Sequence, residues 1–274
     1  MQNYFAKILL LTAGVVFAAF SFPARNQLRP LPPGVSARDE LRKILPKHSV
    51  FPPVARLDGA TSPSDPRDQE RRSHREHLKG LIKHKTIFDP GVREINGQAE
   101  SIDLTFIDGV QLIKPGELPD PEGLPISGCV IVIGTVASGN AYVNQERTEL
   151  FSEYKVTVQE VLKPDPESVI SARDLLTTWR SGGSIQFPSG HITHYIIAGR
   201  GFPEVGTQYV FFLRRPDKTV DDYAINTAYS IKDQVVTPLD GGNDMRSEFE
   251  GMPVNEFLDK LRQEIKIRRE GGND

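Results

Sequence analysis

The sequence predicts a mainly β protein: an antiparallel barrel or sandwich with a packed C-terminal helix, preceded by a Pro-rich disordered linker and an N-terminal hydrophobic helix. Three observations carry this expectation. Residues 128–162 hold two long strand-forming runs, 129–136 and 151–162, joined by a polar loop. Short runs rich in β-branched and aromatic residues then recur as far as Val236, separated by turn residues, in the rhythm of a sandwich or barrel. Finally, Val254, Phe257, Leu258, Leu261 and Ile265 recur at three- and four-residue spacing, the stripe of an amphipathic helix that packs on the β-domain.

The chain begins with Lys7 followed by an uncharged apolar run over residues 8–20, with the small residues Ala19 and Ser21 near its end. A short basic start, an apolar stretch and small residues read as an export signal, so residues 1–22 are assigned as a signal peptide or membrane anchor. The run falls short of the roughly 20 residues of a comfortable membrane span, and retention as an anchor is the alternative to cleavage. The single cysteine, Cys129, rules out an intramolecular disulfide. Export without disulfides points to a bacterial envelope protein, periplasmic or secreted, or anchored in the inner membrane by residues 8–22. Set among Val and Ile, Cys129 itself reads as a buried thiol acting as a small hydrophobe.

Residues 23–66 carry Pro23, Pro30, Pro32, Pro33, Pro46, Pro52, Pro53, Pro63 and Pro66 with few aromatics, so no helix or central strand runs far and the segment reads as a semi-extended linker. Residues 67–85 are basic, with Arg67, Arg71, Arg72, Arg75, Lys79, Lys83 and Lys85. Their apolar side is thin, only Leu78, Leu81 and Ile82, so a solvated charged helix is expected. His74, His77 and His84 fall within it, but their spacing gives no convincing metal site.

The β-domain is assigned to residues 86–268. It opens with an alternating run at 102–107, a turn signal at Asp108-Gly109, and Val110 to Ile113, together a hairpin candidate. In the central pair, the first run is apolar at nearly every position and is expected to be covered on both faces; the second alternates and is expected to be covered on one. Further strand candidates are residues 175–179, ending at Trp179 as a core or rim anchor, then 185–187, 192–198, 208–214, 223–226, 229–231 and 235–236. A tight turn is expected at Lys232-Asp233-Gln234. Pro253 suits the first turn of the closing helix.

These segments together resemble a widespread set of uncharacterised exported bacterial proteins. The likeness rests on Val-Ile-Gly-Thr-Val at 132–136, the run 153–163, Gly182-Gly183, the run 206–213, and the closing Gly251-Met-Pro-Val-Asn-Glu-Phe-Leu-Asp-Lys-Leu, and it covers about residues 126–268. Their domain is similar to the netrin-module and tissue-inhibitor-of-metalloprotease type of OB barrel. The resemblance therefore implies an OB-like barrel. The tissue inhibitors act through an N-terminal cysteine in a disulfide framework, and this chain has neither, so that inhibitory mechanism is not carried over.

No constellation in the sequence specifies chemistry, so no catalytic, cofactor-binding or metal-ligating residue is assigned. His191 and His194 form an H-x-x-H pair without the glutamate of H-E-x-x-H, in or beside a strand, where positions three apart face opposite ways. Ser189-Gly190-His191 lacks an identifiable acidic partner. Gly199-Arg200-Gly201 and Gly241-Gly242 lack the following Lys-Ser/Thr of a phosphate loop. Asp217, Asp221 and Asp222, and the run from Asp240 to Asp244, read as solvated loops, the latter without the spaced ligands of a calcium loop. With export and a net charge of only −3, nucleic acid is not an expected partner. The expectation is a non-catalytic exported or envelope-associated module that binds a protein or surface ligand. The alternatives are an envelope hydrolase using His191 or His194, which needs those side chains gathered with an acid in a deep pocket, and a structural accessory of a membrane complex.

Overall fold

A computed structural model describes residues 45–46, 49–56, 66–76, 92–95, 98–101, 109–113, 124–144, 147, 149–197, 199–216, 220–241 and 248–271. The expected signal or anchor, most of the linker, the run at 102–107 and residues 77–85 lie outside them. Among the described residues no helix is long and apolar enough to cross a membrane.

The elements in chain order are β1 (Val54–Arg56), α1 (Pro66–Glu76), β2 (Val92–Ile95), β3 (Gln98–Ser101), β4 (Gly109–Ile113), β5 (Val130–Val143), β6 (Leu150–Lys163) and β7 (Leu175–Ser181). They continue with β8 (Gly183–Gln186), β9 (Ile192–Ile197), β10 (Gln208–Arg214), β11 (Tyr223–Lys232), β12 (Val235–Pro238) and α2 (Val254–Glu270). The protein is mainly β. Its centre is a six-stranded sheet in the order β10-β5-β6-β7-β11-β12, antiparallel except where β7 meets β11 in parallel. β10 pairs with β11 as well as with β5, so hydrogen bonding passes through β5, β6, β7, β11 and β10 and returns to β5.

Alternation along the strands divides the apolar residues into layers. Val132, Val136, Tyr154, Val156, Val158, Phe211 and Ile225 form a core on one side of the sheet. Ile131, Ile133, Val210, Phe212 and Tyr229 face the other side and meet α2. The expected helical stripe is the buried one: Val254, Phe257, Leu258 and Leu261 are buried and Ile265 packs beside them. Phe257 lies 4.9 Å from the Tyr229 ring and 5.4 Å from Phe249, centroid to centroid. Cys129 belongs to this layer, and burial pushes its thiol up from its ordinary value.

β5 is buried at its first five positions, as its apolar run predicts. β6 is more covered than alternation suggests, because residues 150–154 are buried on both faces. The β5–β6 ladder shifts register three times, between Ile131 and Val132, Ile133 and Gly134, and Val136 and Ser138. At the second shift, a Cβ on Gly134 would stand 2.5 Å from Val156 Cγ1 and 3.0 Å from the Thr157 carbonyl oxygen, which is why the position holds glycine. Asp233 and Gln234 both take positive φ, 52° and 62°, and join β11 to β12 in the expected tight turn.

A second sheet runs in the order β1-β8-β9-β4. β8 and β9 come from the expected short strands around Ile185 and Ile192. Their neighbours come from the first half of the chain: β1 lies inside the Pro-rich stretch and pairs in parallel with β8, and β4 pairs in parallel with β9. The partner of β4 among the described residues is thus a distant strand, where the Asp108-Gly109 signal pointed to a local hairpin. β2 and β3 form a separate two-stranded hairpin.

Candidate functional site

The chemistry-bearing side chains gather in two buried guanidinium clusters, one on each side of β7. Consecutive residues of a strand face opposite ways, so Trp179 joins one cluster and Arg180 the other.

The first cluster is built under α1. Its sequence, PRDQERRSHRE, contains no large apolar residue, and the stripe at i, i+3, i+4 and i+7 is Asp68, Arg71, Arg72 and Arg75. That charged stripe faces the sheet. The expectation of a solvated helix therefore fails in its last turn: Arg75 is 1% exposed. A charge is buried at such depth only when paired. Arg75 meets Asp222 in a two-pronged contact, Nε to Oδ2 and Nη2 donating to Oδ1 at 2.7 Å. Its Nη1 donates to Glu153 Oε2 at 2.7 Å and to the Tyr142 hydroxyl at 2.9 Å. The guanidinium carbon lies 5.5 Å from the Trp179 ring and 5.7 Å from Tyr142. Arg72 stacks 4.1 Å above Tyr142 and stands 3.6 Å from Glu153.

The sheet register explains how these groups meet. Glu153 on β6 and Trp179 on β7 are direct cross-strand partners, and Tyr142 on β5 pairs with Phe151, two residues before Glu153. Tyr142, Phe151 and Trp179 make one aromatic group, with Phe151 stacked on Tyr142 at 5.3 Å and edge-on to Trp179 at 5.5 Å. Asp222 enters from the residue preceding β11. Lys155, two residues beyond Glu153, donates to Thr177 at 3.0 Å and to Asp68 at 2.8 Å, and Arg71 donates to the Asp221 carbonyl at 2.9 Å. α1 covers the outward face of β6, which accounts for the double burial of residues 150–154.

Burial works against the charge of Arg75, but Tyr142, Asp222 and Glu153 outweigh it and hold the guanidinium above its ordinary value. Burial pushes the Asp222 carboxyl up, against the hydrogen bonds and charge of Arg75. It also pushes the Tyr142 phenol up, so this hydroxyl stays protonated. The indole N–H of Trp179 is buried and has no acceptor among the described residues.

The second cluster centres on Arg180. Its Nη1 and Nη2 donate to Asp240 Oδ1 and Oδ2 at 2.7 and 2.8 Å; Nη1 also meets the Gly201 carbonyl, and Nη2 the Asn226 carbonyl at 3.3 Å. The Gly201 amide donates to Asp240 Oδ1 at 3.0 Å. Burial pushes the Asp240 carboxyl up, but the charge and hydrogen bonds of Arg180 prevail and hold it below its ordinary 3.8. This cluster ties the Gly199-Arg200-Gly201 loop to the end of β12. Gly201 lies so close to the Leu239 carbonyl that no Cβ fits between them.

Both aspartates overturn the expectation of solvated acidic loops. Asp222 and Asp240 are buried, while Asp221 is exposed and Asp217 lies outside the described residues. Their spacing offered no hint, because each partner arginine is far away in sequence. His191 sits in the turn before β9, where its carbonyl accepts from the Phe187 amide at 2.8 Å. His194 lies on β9 opposite Ser184, with Nδ1 2.7 Å from a Ser184 hydroxyl that is fully buried between strands. His74 is on α1; His77 and His84 lie outside the described residues. No group of three or more His, Cys, Asp or Glu among the described residues is arranged to hold a metal ion.

No protein-family model matches the chain, and no curated protein matches it.

Proposed function

We propose that the chain is a non-catalytic exported or envelope-associated module that binds a protein or surface ligand, built on an OB-like barrel of β5, β6, β7, β11 and β10. The observation that carries this reading is the pairing order. Five strands pair as first, second, third, fifth and fourth before returning to the first, with the third and fifth in parallel. A five-stranded Greek-key barrel closes in this way, and its second and third strands commonly present a binding face. From fold to function is an argument by analogy, and the chemistry of the site supports it. The buried arginines and carboxylates pair with one another, and the serine beside His194 is buried, so the polar groups hold surfaces in place.

The test is mass spectrometry of the mature protein from fractionated cells of its native host, with co-purifying proteins identified in the same run. A start near Ala24 in a soluble envelope fraction, or an intact Met1 in the membrane fraction, together with a reproducible partner, is the expected result. Recovery from the cytosol with Met1 intact and no partner would overturn the reading.

A further inference from the structure

Beneath α1, Glu153 on β6, Trp179 on β7, Tyr142 on β5 and Asp222 before β11 bring two carboxylates and two aromatic rings around the Arg75 guanidinium, with Arg72 of the same helix stacked on Tyr142. We propose that Glu153, Asp222, Tyr142 and Trp179 form a guanidinium-binding pocket whose ligand is an arginine presented by a polar helix of a partner protein, and that α1 fills the pocket in cis as that ligand's competitor. The inference rests on the binding-module reading and names the class of its partner.

Four features support it. The pocket is built entirely from the sheet and the residue preceding β11, so its walls do not depend on α1. Its groups match a guanidinium: Asp222 takes two nitrogens, Glu153 and Tyr142 a third, and the rings supply two π faces. α1 presents no large apolar side chain among its eleven residues, so it lacks the apolar face that packs α2 on the sheet, and Asp68, Arg71, Arg72 and Arg75 dock it by ion pairs, hydrogen bonds and stacking on aromatic rings. Finally, the buried Trp179 N–H is a donor that α1 leaves unused, open to a carbonyl or hydroxyl of a different ligand.

Trp179 is the only tryptophan of the chain, so its fluorescence reports on this pocket. The experiment titrates a peptide spanning residues 64–78 into the full-length Arg75→Ala chain. A saturable change in Trp179 fluorescence is expected, absent with the same peptide carrying Arg75→Ala. Tethering sets the effective concentration of α1 on the order of millimolar, so the unaltered chain should bind the peptide more weakly by the ratio of that concentration to the dissociation constant measured on the Arg75→Ala chain. A folded Arg75→Ala chain that shows no saturable change, or that responds equally to the arginine-less peptide, would overturn the proposal. Should this variant not fold, amide exchange on the unaltered chain decides: excess peptide is expected to deprotect α1, and unchanged protection sinks the pocket. A partner captured from the native host and retained in excess peptide would also remove the pocket while leaving the binding-module reading intact.

Discussion

Trp179 and Arg180 are neighbours on β7 that face opposite sides of the sheet, and each belongs to a buried guanidinium cluster. Trp179 forms part of the wall against which Arg75 lies, and Arg180 is itself the cation that holds Asp240. One strand thus fastens the chain before the sheet on one side and the loops at 199–202 and 239–241 on the other.

Removing Arg75 leaves Asp222 buried without the cation that pairs with it, and leaves Glu153 only Arg72, at 3.6 Å. Breaking a buried pair from one side costs about 3–5 kcal/mol, most of it the uncompensated charge left behind. Arg75→Ala should lower stability by an amount in that range in urea unfolding. Adding Asp222→Asn to it should recover part of the loss, a non-additivity that a double-mutant cycle measures. Strict additivity would mean the two side chains are not coupled.

Asp240 gives a pH signature. Its folded value lies below the ordinary 3.8, so its contribution to stability is fully present above that pH and is lost as pH falls through the folded value. Asp240→Asn should therefore be markedly less stable than the unaltered chain near neutrality. The gap should narrow below about pH 4. Thermal unfolding of both chains across pH 3–7 checks this, and a gap independent of pH would contradict it.

At Gly134 the prediction concerns packing. A methyl group meets Val156 at a distance no real Cβ shows, so Gly134→Ala should cost about 1–3 kcal/mol by overpacking. Gly134→Ala together with Val156→Ala should recover part of that. Equilibrium unfolding of the single and double variants reads it out.

Cys129 should be inert in the native state. Its thiol is buried in the layer under α2 and pushed up by that burial, so little thiolate forms near neutral pH. A thiol-reactive dye should label it slowly in buffer and rapidly in denaturant. Fast native labelling would place the thiol outside the core.

Periodicity in the sequence revealed the sheet and α2, because apolar residues at spacings of two and of three to four declare which side is buried. Strands β5, β6, β7, β10, β11 and the helical stripe from Val254 to Ile265 were legible for that reason. The candidate site was not. α1 carries the helical spacing at Asp68, Arg71, Arg72 and Arg75, but with charged residues, which ordinarily mark a solvated face. Its partners Glu153 and Asp222 stand 78 and 147 residues away. β1 was hidden in the same way: three residues among prolines carry no pattern, and only pairing with β8 makes them a strand. Long-range pairing of charges and edge strands leaves no local trace.

The docking of α1 also bears on where the autonomous folding unit begins. A fragment started after α1, at residue 86, would keep every strand of the central sheet and lose Arg75. It would carry two carboxylates beneath a missing helix, and the exposed ring faces of Tyr142 and Trp179 beside them. Such a truncation is expected to be less soluble and less stable than the whole chain even though no strand of the sheet was cut. The minimal folding unit is set by the last charge neutralised, and that charge comes from a helix that belongs to no sheet.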